Sequence, residues 1–383
     1  MARIFLTGAT GYIGGDALHA LYRAHPEYQI SALVRDPAKS ADVFAKEYPN
    51  VRIVQGSLDD GDLVADEAAK ADVVLNLAAT SHLPSVKSIH QGLKKASTSR
   101  SGKPAHWLQI SGATVLACGE IASKTFGEPP DKVYHDLDSG EIWAQVKKYP
   151  SRAVDNYIHD VATQDAGTVN TALLVGPIIF GAGRGPGNRR SIQIPELART
   201  AIERRRAWQV GRGLSVWDHV HVRDLSGITL RLVERAVAGG SDQSGLWGED
   251  GVYFAGVGHL VRFPFFLCSP ESFCLSFEIF IVVRSADLGP LLLTQAFADI
   301  SRRIAAAAYA LGLADSPDAV DALPPAEADK LVGHASILLG TNARCDARRA
   351  VEKLGWSPKE QSLEQAIEET VRDEAGKVGK AGL

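Results

Sequence analysis

Three glycines spaced by three, Gly8, Gly11 and Gly14, follow the apolar run 4–6 and Thr7, and the chemistry that such a spacing can do is to hold a pyrophosphate. Gly8 and Gly11 have access to backbone angles closed to other residues and let the main chain approach an anion, while Gly14 lets a following helix pack close to the strand. Unpaired amides at the start of that helix would face the phosphates, reinforced by the helix dipole. A second candidate is Arg35, about 20 residues further on, where dinucleotide folds read the ribose. An Asp or Glu there binds a 2′-hydroxyl, whereas a guanidinium offers a fork of donors to a 2′-phosphate. Lys39 adds charge and Asp36 offsets it. The expected cofactor is therefore NADP, with NAD and an Arg35 idle in a loop as the alternatives.

These groups need a frame. Residues 30–34, 51–54, 72–77 and 106–110 read as strands after the first one, and an amphipathic segment with Ala17, Leu18, Leu21 and Tyr22 on one face follows the glycines. Strands alternating with helices at this spacing imply an α/β fold with a parallel, doubly wound sheet. The third strand ends in GSLDD, where Asp59 could accept from the adenine amino group and Leu58 pack on the ring; capping the next helix serves Asp59 or Asp60 equally well. Ala78 and Ala79 close the fourth strand. Small residues there suit passage of a cofactor at the edge where open parallel sheets bind ligands. The fifth strand runs into Ser111, Gly112 and Thr114.

Bulk composition narrows the partners. Across 383 residues, 41 basic and 45 acidic side chains leave a formal charge of −4, so no global field draws nucleic acid or acidic membrane. The expected partners are a small-molecule substrate and, at most, a second copy in a homodimer. A first strand beginning at residue 3 leaves no room for a secretory leader, and a cytoplasmic location is the expectation. Cys118, Cys268, Cys274 and Cys345 lack CxxC spacing, which argues against structural zinc and disulfides, and no metal site is expected.

TGATGYIGG, the Arg after the second strand, the strand ending in LAA, and ISGAT together resemble the short-chain dehydrogenase/reductase superfamily. Three later segments, GPIIFGAGRGPGN, VWDHVHVRDL and RRAVEKLGWSPKE, are similar to blocks of its extended branch, and within it to fungal epimerase/dehydratase-like and NmrA-like proteins. The resemblance implies a Rossmann domain over residues 1–170 that binds NADP, with residues 171–383 adding the remaining sheet elements and a smaller C-terminal α/β substrate lobe. It implies cofactor contacts at Gly8, Thr10, Gly11, Tyr12, Ile13, Gly14, Arg35, Leu58, Asp59, Ala78, Ala79 and Pro177. Residues 115–150 are expected to form a long polar connection, with 155–161 on a helix behind it.

Catalysis in this superfamily uses a Tyr whose proton is loosened by a Lys four residues later, with a Ser or Thr orienting the carbonyl. This chain has no YxxxK: Asp138 follows Tyr134 at that spacing, Ala153 follows Tyr149, and Val161 follows Tyr157. Ser151, Arg152 and Asp155 in KKYPSRAVD resemble the SKxxxE helix, so Arg152 would bring a fixed charge to the nicotinamide ribose without titrating. Gly112 falls where the family often has its Ser, which leaves Ser111 and Thr114. Tyr149, one residue off register, is the candidate proton donor or else a packing residue.

Other polar groups carry two readings each. His219, His221 and Asp224 hint at a metal, but without a third close ligand His221 reads as a structural hydrogen-bonding residue. Arg189, Arg190 and the run 204–206 could bind a diphosphate or cover a solvated helix face. Asn342 and Arg344 could reach the pocket. The segment 258–294 interrupts the family pattern and holds six of twelve phenylalanines. It reads as translated intron sequence or another gene-model error, or as a lobe insertion such as a hairpin. Helical faces resume with Phe297, Ile300, Ile304, Ala308 and Leu311, then a capping box at Ser362 and Gln365; the end of the chain is expected to fray. The implied function is an NADP-dependent oxidoreductase acting on a carbonyl or alcohol of a small organic substrate. The alternatives are a sugar-nucleotide epimerase or dehydratase and a non-catalytic NADP-sensing regulator.

Overall fold

A computed structural model describes residues 1–97, 103–239, 243–257, 260–268, 274–282 and 296–381. The chain opens with β1 (Arg3–Thr7), α1 (Tyr12–Ala24), β2 (Gln29–Val34), α2 (Ala41–Glu47), β3 (Arg52–Gln55), α3 (Gly61–Lys70), β4 (Val73–Asn76), α4 (Leu83–Ser97) and β5 (Ala105–Gly112). It continues through α5 (Cys118–Ser123), β6 (Tyr134–His135), α6 (Ser139–Lys148), α7 (Ala153–Gln164), β7 (Val169–Gly176), β8 (Ile178–Phe180), α8 (Gln193–Arg204), β9 (Ala207–Val210), β10 (His219–His221), α9 (Val222–Ala238) and β11 (Val252–Phe254). Last come β12 (Leu260–Cys268), β13 (Cys274–Val282), α10 (Phe297–Ala310), β14 (Val320–Leu323), α11 (Pro325–Leu331), α12 (Ala335–Leu338), β15 (Cys345–Asp346), α13 (Arg348–Leu354) and α14 (Leu363–Ala381).

Seven of these strands form one parallel sheet in the order β11-β7-β5-β4-β1-β2-β3. Their near-continuous apolar runs, such as Val73, Val74 and Leu75, are buried because helices cover both faces. The covering helices form two groups, α1 packing against α9 and α4 packing against α3 and α7. The chain turns back at β1, so the carboxyl ends of β1 and β4 flank a crevice where a ligand can lie. A polar bridge crosses the strands just below it. Thr7 Oγ1 donates to Asn76 Oδ1 at 2.6 Å, Asn76 Nδ2 to Gln109 Oε1 at 2.7 Å, and Gln109 Nε2 to the Ala79 carbonyl at 3.2 Å.

The smaller lobe is built from α8, β9, α10, β14 and α14, with β9 and β14 pairing in parallel. Its three consecutive arginines are not a bare solvated face: Arg204 and Arg206 pair with Asp321, and Arg205 with Asp315. Two expectations need correction here. The connection 115–150 carries α5, β6 and α6, and β6 pairs with β15, so buried side chains such as Ile142, Trp143 and Val146 order it. Where the chain end was expected to fray, α14 continues to Ala381, after the expected capping box of Ser362 and Gln365. Phe297, Ile300, Ile304 and Ala308 are buried as their period requires, whereas Leu311 caps α10 and is 42% exposed. In the anomalous segment β12 and β13 pair as an antiparallel hairpin apart from the main sheet; the rest of 258–294 lies outside the described residues.

Candidate active site

The turn after β1 is shaped by two glycines rather than three. Gly8 has φ +83°, and a Cβ on it would sit 2.8 Å from the Ala78 backbone, so the exits of β1 and β4 touch there. A Cβ on Gly14 would lie 2.4 Å from the Gly8 carbonyl oxygen, which is why α1 can start directly over the turn. Gly11, expected to need special angles, has an ordinary φ of −84° as N-cap of α1. Its amide donates to the Gly8 carbonyl at 2.8 Å. The amides of Tyr12, Ile13 and Gly14 begin the helix and have no intrahelical partner by position. The first turn of α1 carries no acidic residue that would repel an anion.

The remaining expected contacts lie around the carboxyl edge of the sheet. Arg35 is exposed directly after β2, while Asp36 and Lys39 pair with each other at 3.1 Å. Leu58 is half-buried against the core. Asp59 is exposed and bonds His82 Nε2 at 3.1 Å, and neither it nor Asp60 caps α3 through its side chain. Ala78 is exposed, Ala79 half-buried, and Pro177 buried between β7 and β8.

The loop between β8 and α8 seals the turn. Tyr12 Oη donates to the Gly181 carbonyl at 2.6 Å, and the Asn188 amide to the Thr10 carbonyl at 2.9 Å. Asp16, fully buried, receives Arg184 Nη2 on Oδ1 at 2.7 Å and Arg184 Nε on Oδ2 at 3.0 Å. Burial pushes the Asp16 carboxyl up, and the Arg184 hydrogen bonds outweigh it, so the net shift is downward. A Cβ at Gly185 or Gly187 would lie 2.4 Å from Gly15 or 2.2 Å from the Thr10 carbonyl oxygen. The alternate glycines of GAGRGPGN were the signal for this seal.

The second cluster forms where β5 ends. Arg152, N-cap of α7, donates Nη2 to Ser111 Oγ at 2.9 Å and Nη1 to Thr114 Oγ1 at 3.1 Å. Its Nε donates to Asp155 Oδ2 at 2.6 Å. Ser111 and Asp155 are buried, 2% and 1% exposed, and Arg152 keeps 17% of its side chain accessible. Burial raises the Asp155 carboxyl against the pull of Arg152, and its Oδ1 has no partner. Cys118 Sγ donates to the Thr114 carbonyl at 3.4 Å, with burial pushing its thiol up. Thus three of the four expected catalytic residues meet. Tyr149 is half-buried at the end of α6, and its hydroxyl would lie 3.4 Å from a Cβ on Gly119 of α5, beside the cluster rather than bonded into it. Asp155, the anchor of Arg152, was visible in the sequence only through the resemblance of KKYPSRAVD to the SKxxxE helix.

The other candidates are otherwise engaged. His221 Nδ1 accepts the Arg223 amide at 3.2 Å as N-cap of α9, and burial lowers its pKa. Among the described residues no group of three His, Cys, Asp or Glu could hold a metal ion. Arg190 pairs with Glu196 and Glu374, and Asn342 bonds Glu120. Arg344 keeps a buried Nε without a partner.

The model of the NAD dependent epimerase/dehydratase family matches residues 4–244, more than half of the chain. The chain belongs to that family. One relative within reach of this epimerase/dehydratase chain is Oxidase ucsJ of an Acremonium species, 34% identical over 385 residues, 98% of this chain and 99% of that protein. Solved structures share the fold. The dTDP-glucose 4,6-dehydratase of Bacillus anthracis, in complex with NAD, has a TM-score of 0.58 at 16% identity and covers 98% of this chain and 97% of that one. A human epimerase family protein with NADPH has a TM-score of 0.53 at 17% identity, over 97% and 99%. No helix among the described residues of the family member is long and apolar enough to cross a membrane.

Proposed function

We propose that the chain is an NADP-dependent oxidoreductase acting on the carbonyl or alcohol of a small organic substrate. The observation that carries this reading is the Ser111–Arg152–Thr114 cluster, a permanent cation and two hydroxyls gathered at the carboxyl end of β5. The amides of Tyr12, Ile13 and Gly14 would hold the pyrophosphate, Arg35 the 2′-phosphate, Leu58 and Asp59 the adenine, and Ala78, Ala79 and Pro177 the path to the nicotinamide. Bound there, the cofactor supplies or accepts a hydride.

The chain's own residues do the rest. Arg152 cannot exchange a proton at working pH. Held by Asp155, it orients the Ser111 and Thr114 hydroxyls towards a substrate oxygen and stabilises negative charge developing on it. The proton comes from Tyr149 or from water. A relative named an oxidase that spans the whole chain supports redox chemistry, and a human fold neighbour with NADPH supports the cofactor. Against a sugar-nucleotide diphosphate stands the engagement of Arg190 and of residues 204–206 with carboxylates.

The missing YxxxK favours one second reading, a regulator that binds NADP without turnover. NADPH consumption over a panel of carbonyl compounds separates these. Consumption supports the oxidoreductase. Conversion of a sugar nucleotide with the cofactor's redox state unchanged would indicate the epimerase or dehydratase, and tight NADP binding with neither activity would indicate the sensor.

A further inference from the structure

The Thr114 hydroxyl stands on a single 3₁₀ turn, Ala113–Val115, that leads straight into α5. Turn and helix are one piece of backbone: the Thr114 carbonyl accepts the Ala117 amide at 3.1 Å and Cys118 Sγ at 3.4 Å, and the Ala117 carbonyl accepts the Ile121 amide at 3.0 Å. With six residues and no side chain capping its start, α5 is too short to hold itself and keeps its place through what it is tied to.

That tie is Glu120. Its Oε2 accepts the Asn342 amide at 2.7 Å and its Oε1 accepts Asn342 Nδ2 at 2.9 Å, so both oxygens of one carboxylate hold one residue of the turn between α12 and β15. Asn342 is buried and passes the hold on: its Oδ1 accepts the Val216 amide at 2.7 Å, and its Nδ2 also donates to the Glu128 carbonyl at 3.0 Å. The stretches around Asn342 and Val216 are fixed on the smaller lobe. Gln193 of α8 donates Nε2 to the Leu338 carbonyl at 2.8 Å, and the Phe297 and Ala298 amides that open α10 donate to the Ser215 and Gly213 carbonyls at 3.0 and 2.9 Å. Burial pushes the Glu120 carboxyl up, and its bonds to Asn342 pull against that. Two convergent N–H donors call for two acceptor oxygens, which a carboxylate has and a carboxamide lacks. Ser111 is placed differently, inside β5 and in register with Val175 of β7.

We infer that Glu120 is a positioning residue for the reaction: it hangs the Thr114 turn from Asn342, so that the seating of the smaller lobe sets the direction of the Thr114 hydroxyl. The inference rests on the role given to Thr114 above. Of the two hydroxyls beside Arg152, the sheet places one and the lobe places the other.

The test is steady-state turnover of a carbonyl compound accepted by the wild type, with NADP affinity measured alongside, in Glu120→Gln, Asn342→Ala, Thr114→Ala, Thr114→Ser and the double variants that combine them. Glu120→Gln lowers kcat about tenfold, part of the hundredfold that a misplacement of about 1 Å can cost, while KM and NADP affinity stay within about threefold. Asn342→Ala, which cuts the same bridge from its other side, does the same. In Thr114→Ala, which has no hydroxyl to aim, Glu120→Gln costs no further turnover; in Thr114→Ser the loss of about tenfold returns. An equal loss from Glu120→Gln with and without a hydroxyl at position 114 overturns the inference, because a purely structural role is blind to that hydroxyl, and so does a Glu120→Gln variant that turns over like the wild type. If Glu120→Gln fails to bind NADP, Asn342→Ala combined with Thr114→Ala closes the same cycle. Each of these outcomes leaves the oxidoreductase reading standing. A wild type that turns over no carbonyl compound removes that reading, and this inference with it.

Discussion

The glycine turn and the Arg152 cluster lie at the same sheet edge and are built in opposite ways. The turn is backbone: Gly8 and Gly14 are defined by what a Cβ would strike, and the groups offered to a ligand are amides. The cluster is side chain: Ser111 lies near the end of β5 and Thr114 just after it, Arg152 and Asp155 start α7, and hydrogen bonds from Arg152 join them. A backbone site tolerates change in every residue except its glycines, whereas a side-chain site can have its chemistry rewritten by one substitution.

The largest expected effect tests how firmly the connection 115–150 is held. Asp136 is fully buried between β6 and α6, accepts the amides of Phe254 and Arg349, and is pushed by burial up to about 7. Its folded pKa exceeds the unfolded value of about 3.9, so its stabilising contribution is complete below about pH 4 and is lost as pH rises towards about 7. Asp136→Asn cannot ionise, and urea denaturation from pH 4 to 8 should show the wild type losing up to about 4 kcal/mol relative to the variant, then running parallel.

Next in size is the turn itself. Gly14→Ala sets a methyl against the Gly8 carbonyl and should cost about 3 kcal/mol in urea denaturation, with cofactor binding lost. Smaller is the seal. Arg184→Ala leaves the buried Asp16 carboxylate without its counter-charge though still bonded by the residue-184 amide, and because Arg184 is about a third exposed the loss should be about 2 kcal/mol, less than for a fully buried pair. If Arg184→Ala destabilised the chain more than Gly14→Ala, the lobe rather than the turn would be the keystone of this edge.

The same contrast explains what was legible. The strands, α1 and the cradle follow from apolar period and glycine spacing, which act over a few residues. Gly11 shows the limit, since its spacing matched while its φ did not require glycine. Asp16 and Arg184 are 168 positions apart, and nothing local announces that they meet. Ser111, Thr114 and Arg152 came from resemblance to a family motif, and their mutual hydrogen bonds became visible only when α7 was placed against β5. The segment 258–294 matched no period, and we propose that it is translated intron sequence; a spliced message retaining codons 256–298 would contradict this.

The central claim is that cradle and chemistry are separate, and one preparation tests it most directly. In Arg152→Ala, NADP affinity and NADPH-dependent turnover of a carbonyl substrate accepted by the wild type are measured side by side. Affinity should stay within about threefold, while turnover falls about a hundredfold through loss of electrostatic stabilisation. Turnover equal to that of the wild type would contradict the account.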